Sequence, residues 1–189
     1  MKRTLKQLER AIEHASTHQE WLEASREHDR LSGADDWKEI DRSPHYDYEL
    51  IRNRLWQIRQ ARERGDVNKL VFHLHEGLHG NLGNISNPAL YGHTRVGTKQ
   101  LIERYLDEVC TALEYVCDGD FKDFGLKQKL DFFETTGAAF GQSCLMLSGG
   151  AALGLFHVGV VKTLWEHGLL PSVISGSSAG SIVAAVVGT

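Results

Sequence analysis

Apolar residues recur every three or four positions through Asp118, and that spacing predicts amphipathic helices. Leu5, Leu8 and Ile12 open the first stripe, with Trp21 and Leu22 further along. Ser32-Gly33-Ala34-Asp35-Asp36 and Arg42-Ser43-Pro44 break the pattern. Leu50, Ile51, Leu55 and Ile58 predict a second helix that ends near Arg64-Gly65-Asp66. Leu70, Val71, Leu74 and Leu78 predict a third, ended by Gly80-Asn81-Leu82-Gly83-Asn84, and Asn87-Pro88 keeps the next stretch irregular. Ile102, Tyr105, Leu106, Val109, Leu113 and Val116 draw the clearest stripe, which closes at Asp118-Gly119-Asp120. Near Phe140 the pattern changes to short apolar runs with small residues. Ser143 to Leu147 reads as a buried strand and Leu155 to His167 as a helix stopped by Gly168. Ser172 to Ile174 reads as a second strand, and a second helix begins by Ser181 and runs to Val187. Strand, helix, strand, helix is the opening of an α/β domain with a right-handed crossover. The expected organisation is therefore a helical domain over 1–136 and the first part of an α/β domain over 142–189.

Two glycine-rich elements end the two apolar runs. Ser148-Gly149-Gly150-Ala151-Ala152-Leu153-Gly154 follows the first, and Gly176-Ser177-Ser178-Ala179-Gly180 follows the second. G-x-S-x-G between a strand and a helix is a nucleophile elbow, a strained turn that lifts a serine hydroxyl clear of the backbone. Gly176 and Gly180 allow the sharp turn, and Ser178 is the candidate nucleophile. The upstream loop offers unpaired N–H groups around Gly149, Gly150, Ala151 and Gly154, and such groups can hold an oxyanion. A phosphate cradle of the G-x-G-x-x-G type fits less well, because Ala151 stands at its third position and no acidic residue lies about 20 residues on.

Composition narrows the partners. Net charge is −4 with both signs interspersed, which argues against nucleic acid. Cys110, Cys117 and Cys144 form no C-x-x-C, and buried free thiols are expected. Met1-Lys2-Arg3 starts like a signal peptide, but Glu9, Arg10, Glu13 and His14 interrupt any apolar region, so a cytoplasmic or peripheral membrane location is expected. Thr135 to Val161 lacks Asp, Glu, Lys and Arg and imitates a membrane span, yet its adjacent glycines and polar groups read better as a buried strand and helix.

Two histidine patterns compete with the serine. His75-Glu76-Gly77-Leu78-His79 matches H-E-x-x-H of a zinc peptidase, with Glu103 as a possible third ligand. Gly77 inside the supposed zinc helix, Gly80 after it and Leu82 in place of a metzincin glycine speak against metal. His157 lies one turn past the first glycine loop, but in α/β-hydrolases the triad histidine follows the serine, so a packed or surface histidine is expected.

The run from Ser148 to Gly159, followed by Gly176-Ser177-Ser178-Ala179-Gly180-Ser181, resembles the opening of a patatin-like phospholipase domain. Trp37-Lys38, Tyr46 to Ile51, His79 to Asn84, Asn87 to Tyr91 and Gly97 to Ile102 resemble the helical domain of unknown function that precedes it in fungal triacylglycerol lipases and bacterial relatives. That resemblance accounts for His75 to His79 without metal. It implies a three-layer αβα fold, here incomplete, and a Ser–Asp dyad with Ser178 as nucleophile. It implies an oxyanion motif on Gly149, Gly150 and Gly154, and no cofactor. The family's aspartate lies in a later Asp-Gly-Gly or Asp-Gly-Ala motif, and nothing after Ser178 here is acidic. Plant patatins carry Asp, Gly and Arg where this chain has Ser148, Ala151 and Leu153, so their head-group preference is not carried over. The expected activity is glycerolipid acyl hydrolysis at a lipid surface, with the 189-residue chain inactive alone and prone to aggregate along its open strand edge. The alternatives are a non-catalytic lipid-surface or protein-interaction module and, further off, the zinc peptidase.

Overall fold

The computed structural model describes residues 3–78 and 80–188. They divide into two compact units, Met1–Thr136 and Gly137–Thr189. The first unit is helical, with α1 (Leu5–Glu13), α2 (His18–Ser32), α3 (Ala34–Glu39), α4 (Tyr48–Glu63), α5 (Val67–Gly77), α6 (Gln100–Asp118) and most of α7 (Leu126–Phe140). The helix starts carry their own caps. Thr4 and Gln7 exchange side-chain and backbone bonds in a capping box. Thr17, Asp47 and Asp66 accept from the N–H groups of Glu20, Leu50 and Lys69. Each such cap is worth about 1 kcal/mol.

The core lies among α4, α5 and α6. Ile51, Ile58, Leu70, Leu74, Ile102 and Val116 are fully buried there. On α6 the buried line runs through Ile102, Tyr105, Val109, Ala112 and Val116. Leu106 of the expected stripe falls off that line and is exposed. The same geometry corrects the expectation for the cysteines. Cys110 and Cys117 lie off the buried line of α6, and Cys110, Cys117 and Cys144 are all exposed free thiols. Helix α7 lies outside the predicted stripes, because its apolar residues follow no single one: Phe132 and Thr136 are buried while Leu126 and Leu130 are exposed.

Buried charges tie distant segments together. Asp29, 1% exposed, accepts from the N–H groups of Arg95 and Val96 at 3.0–3.1 Å, which fastens α2 to the loop before α6. Lys99 is equally buried, and burial pushes its ammonium pKa down. Its Nζ donates to the carbonyls of Trp37 and Ile40 at 2.6 and 2.9 Å, closing the C-terminal end of α3, and stands 3.7 Å from the Trp37 ring centre.

Glu108 on α6 receives Arg59 and Arg62 of α4 at 2.9 and 2.7 Å. Burial alone would raise its carboxyl pKa, but the hydrogen bonds and charges of the two arginines outweigh it and hold the pKa below the ordinary glutamate value. A depressed carboxyl contributes stability above its unfolded pKa and loses it as pH falls through the folded value. Glu108→Gln is therefore expected to destabilise the protein by about 2 kcal/mol at neutral pH, since both arginines retain some access to water. The difference should shrink as pH drops below about 4.3. Urea melts of both proteins at neutral and acidic pH check this, and an equal gap at both would refute it.

The second unit begins with the end of α7 and holds two parallel strands, β1 (Cys144–Leu147) and β2 (Val173–Gly176), in register from Cys144 opposite Val173 to Leu147 opposite Gly176. A 3₁₀ turn (Ala151–Leu155) and α8 (Phe156–Glu166) connect them, and α9 (Ala179–Val187) follows β2. This is the beginning of an α/β domain. The strands are less buried than expected: in β1 only Leu147 is buried, and Met146 is 78% exposed. A two-stranded sheet leaves much of its apolar surface uncovered. Among the described residues no helix is long and apolar enough to cross a membrane. The apolar stretch from Thr135 to Val161 is divided among α7, β1, the 3₁₀ turn and α8.

Candidate active site

Ser178 stands at the junction of β2 and α9 with φ 52° and ψ −121°. A non-glycine residue there carries about 1–3 kcal/mol of backbone strain, which the surrounding structure must hold in place. It occupies the N-cap position of α9, where a serine hydroxyl ordinarily accepts from the helix's first turn. Here it makes no such bond, and Oγ has no partner among the described residues. The backbone does the capping instead, with Gly180 N–H donating to the Ser177 carbonyl at 3.0 Å and Ser181 N–H to the Ser178 carbonyl at 2.9 Å.

The turn exists because two backbones approach closely. A Cβ on Gly176 would lie 2.5 Å from the Gly180 carbonyl oxygen. A Cβ on Gly180 would overlap the Leu147 carbonyl oxygen and lie 2.7 Å from that of Ser148. Ser177 N–H also donates to the Leu147 carbonyl at 2.9 Å. The end of β1 and the elbow are thus one packed piece.

The first glycine loop lies beside the serine. A Cβ on Gly149 would sit 3.1 Å from Ser178 Cβ and 3.7 Å from Oγ, so the Gly149 backbone flanks the hydroxyl. Among the described residues the N–H groups of Gly149, Gly150 and Ala151 have no acceptor. Ala151 turns the loop at φ 47°. Gly154 plays a packing part: it is buried, and a Cβ there would overlap that of Ala179 at the head of α9.

Residues 1–138 match the family described as a domain of unknown function (DUF3336). The chain belongs to the DUF3336 family. Residues 145–189 match the patatin-like phospholipase family. A triacylglycerol lipase of Arabidopsis thaliana is 42% identical over 93% of this chain, which covers 21% of that protein. Triacylglycerol lipase 4 of Saccharomyces cerevisiae is 42% identical over 93% of this chain, covering 19% of that protein. Triacylglycerol lipase 5 of the same yeast is 39% identical over 92%, covering 23%. The chain thus spans about a fifth of the length of these relatives. No solved structure matches.

In the DUF3336 part, the H-E-x-x-H pattern does not gather a site among the described residues. His75 and Glu76 lie on α5, which ends at Gly77, and Glu76 is paired with Arg54 at 2.7 Å. Glu103 accepts from Thr98 N–H at 2.9 Å. His79 lies outside the described residues.

In the patatin-like part, two contacts were not legible beforehand. His157 Nε2 lies 2.7 Å from the Ser148 carbonyl oxygen. A carbonyl only accepts, so Nε2 carries the proton, and the ring braces the glycine loop through Ser148. Ser181 Oγ donates to the Ser178 carbonyl at 2.5 Å, a bond for which the only signal is a hydroxyl three residues along the helix.

Proposed function

We propose that the intact protein is a serine-dependent lipid acyl hydrolase of the patatin type, acting on an ester of a glycerolipid. One observation carries the reading: a serine held at positive φ, its hydroxyl uncommitted among the described residues, beside a loop of N–H groups that find no acceptor among them. The named activity of the relatives, triacylglycerol lipase, favours triacylglycerol as substrate. In this reading residues 1–136 form the helical domain and 142–189 the first part of the hydrolase domain.

The chemistry follows from the groups present and one that must be supplied. Ser178 Oγ bonds to the ester carbonyl carbon while its proton passes to an aspartate carboxylate outside residues 1–189. The negative charge that develops on the carbonyl oxygen is held by N–H groups at Gly149, Gly150 and Ala151. Removing one such donor typically costs about 3 kcal/mol of barrier. The bond to the glyceride oxygen then breaks, and that oxygen takes the proton from the aspartate. Water repeats the sequence on the acyl-serine, releasing a fatty acid and restoring the hydroxyl. No cofactor enters these steps.

The test is covalent capture. A fluorophosphonate should modify the intact protein on the peptide that carries Ser178, read by mass spectrometry of the digest. Modification confined to another residue, or none at all, would sink the assignment.

A further inference from the structure

A cavity of about 220 Å³ lies against α4 and α5, on the helical unit. Trp56, Gln60, Arg64, Asp66, Lys69 and His73 contribute to its wall. His73 is 7% exposed, and both of its ring nitrogens are buried without a hydrogen-bond partner among the described residues. Burial, and then the charges of Arg54 and Lys69, push its pKa down, so the ring is neutral and has one N–H to give. A buried donor without an acceptor is uncommon and calls for a ligand or water.

The charges beside it favour an anion. The side chains of Arg64, just past α4, and Lys69 have no acceptor among the described residues, whereas the arginines of α4 are paired: Arg52 with Asp41, Arg54 with Glu76, Arg59 and Arg62 with Glu108. The Asp66 carboxylate accepts the Lys69 N–H as the cap of α5 and keeps its charge, so the wall, with Arg64 and Lys69 against Asp66, is left net positive. One large exposed aromatic, Trp56, stands in the same wall, while Phe72, next to His73 in sequence, lines a separate cavity with Val71 and Phe132. Trp56 is 62% exposed and Phe72 is 58% exposed. The Phe72 ring meets that of His73 edge-on at 5.6 Å between centres. An exposed aromatic next to unpaired cations fits the boundary of a lipid layer, where rings settle at head-group depth and Lys and Arg meet lipid phosphates.

We propose that this α4–α5 face docks the protein on an anionic phospholipid surface, with a head-group phosphate at the Arg64–Lys69–His73 cavity and Trp56 in the interfacial layer. The docking stands apart from the assignment of Ser178 and survives its failure. A phosphate there gives both cations an acceptor and brings one to the imidazole. It also places the helical unit on the phase that holds a glycerolipid substrate.

The experiment is flotation of the intact protein with vesicles of phosphatidylcholine, alone or mixed with phosphatidic acid. Binding should be strong only to the mixed vesicles and should weaken about thirtyfold in the Arg64→Gln/Lys69→Gln variant, the effect of removing two surface-proximal charges. Brominated acyl chains should quench tryptophan fluorescence in the wild type and much less in Trp56→Phe. Fluorophosphonate labelling of Ser178 should be unchanged in all these variants, which separates this docking from the catalytic reading. Equal binding to neutral vesicles, undiminished binding by the double variant, or equal quenching in Trp56→Phe would overturn the proposal. So would protection of the wild type against heat by inorganic phosphate without any flotation, which would indicate an ion site only.

Discussion

Ser178→Ala in the intact protein is expected to lower kcat for a lipid ester by about 10⁴-fold or more, with no change in melting temperature. The size follows from the absence of a substitute. Ser181 directs its hydroxyl to the Ser178 carbonyl, and His157 is engaged with Ser148. What survives is the part of catalysis that binding and the N–H groups of the loop provide without a nucleophile. Alanine inherits the same backbone position, and the hydroxyl it replaces bonds to nothing described, so folding has little reason to suffer. Steady-state hydrolysis by the purified variant, beside its melting curve, gives the answer. Activity within tenfold of wild type would end the nucleophile assignment.

Gly180→Ala should fail in a different way. Its methyl group would overlap the Leu147 carbonyl oxygen and crowd that of Ser148, and both are main-chain atoms that no rotamer change can move. Relief requires α9 to back away from β1, carrying Ser178 off the loop. A shift of about 1 Å at a reacting atom is worth about a hundredfold in rate. Labelling by fluorophosphonate should therefore slow by about a hundredfold or more, and the melting temperature should fall as well. Gly159→Ala supplies the control: a Cβ there meets nothing within 4 Å, and alanine gains up to about 1 kcal/mol over glycine in a helix. Comparable loss in both variants would show that crowding at the elbow is not the cause.

The elbow was readable because its logic is local. Two glycines around a serine, after an apolar run and before small helix-forming residues, specify a turn within five positions. The stripes on α4, α5 and α6 were readable for the same reason, although the helical period alone could not decide that Leu106 lies outside and Ala112 inside. The buried charges were not readable. Arg59 and Glu108 are 49 positions apart, Lys99 and the Trp37 carbonyl 62, and Asp29 and Arg95 66. Only the folded chain reveals that Glu108, Lys99 and Asp29 are interior. The error over the cysteines has a similar origin: thiols are usually buried, but the α6 positions that hold Cys110 and Cys117 face outward. Helix α7 escaped notice because burial of Phe132 and Thr136, without a companion stripe, leaves no period to detect.

The Lys99 clasp has a practical corollary. An amine enclosed by two carbonyls and an indole is out of reach of acylating reagents until α3 lifts away from α6. Its rate of acylation by an excess of such a reagent is therefore a clock for that local opening. A small molecule that grips the helical body would slow the clock, which turns one hidden side chain into a gauge for finding such compounds.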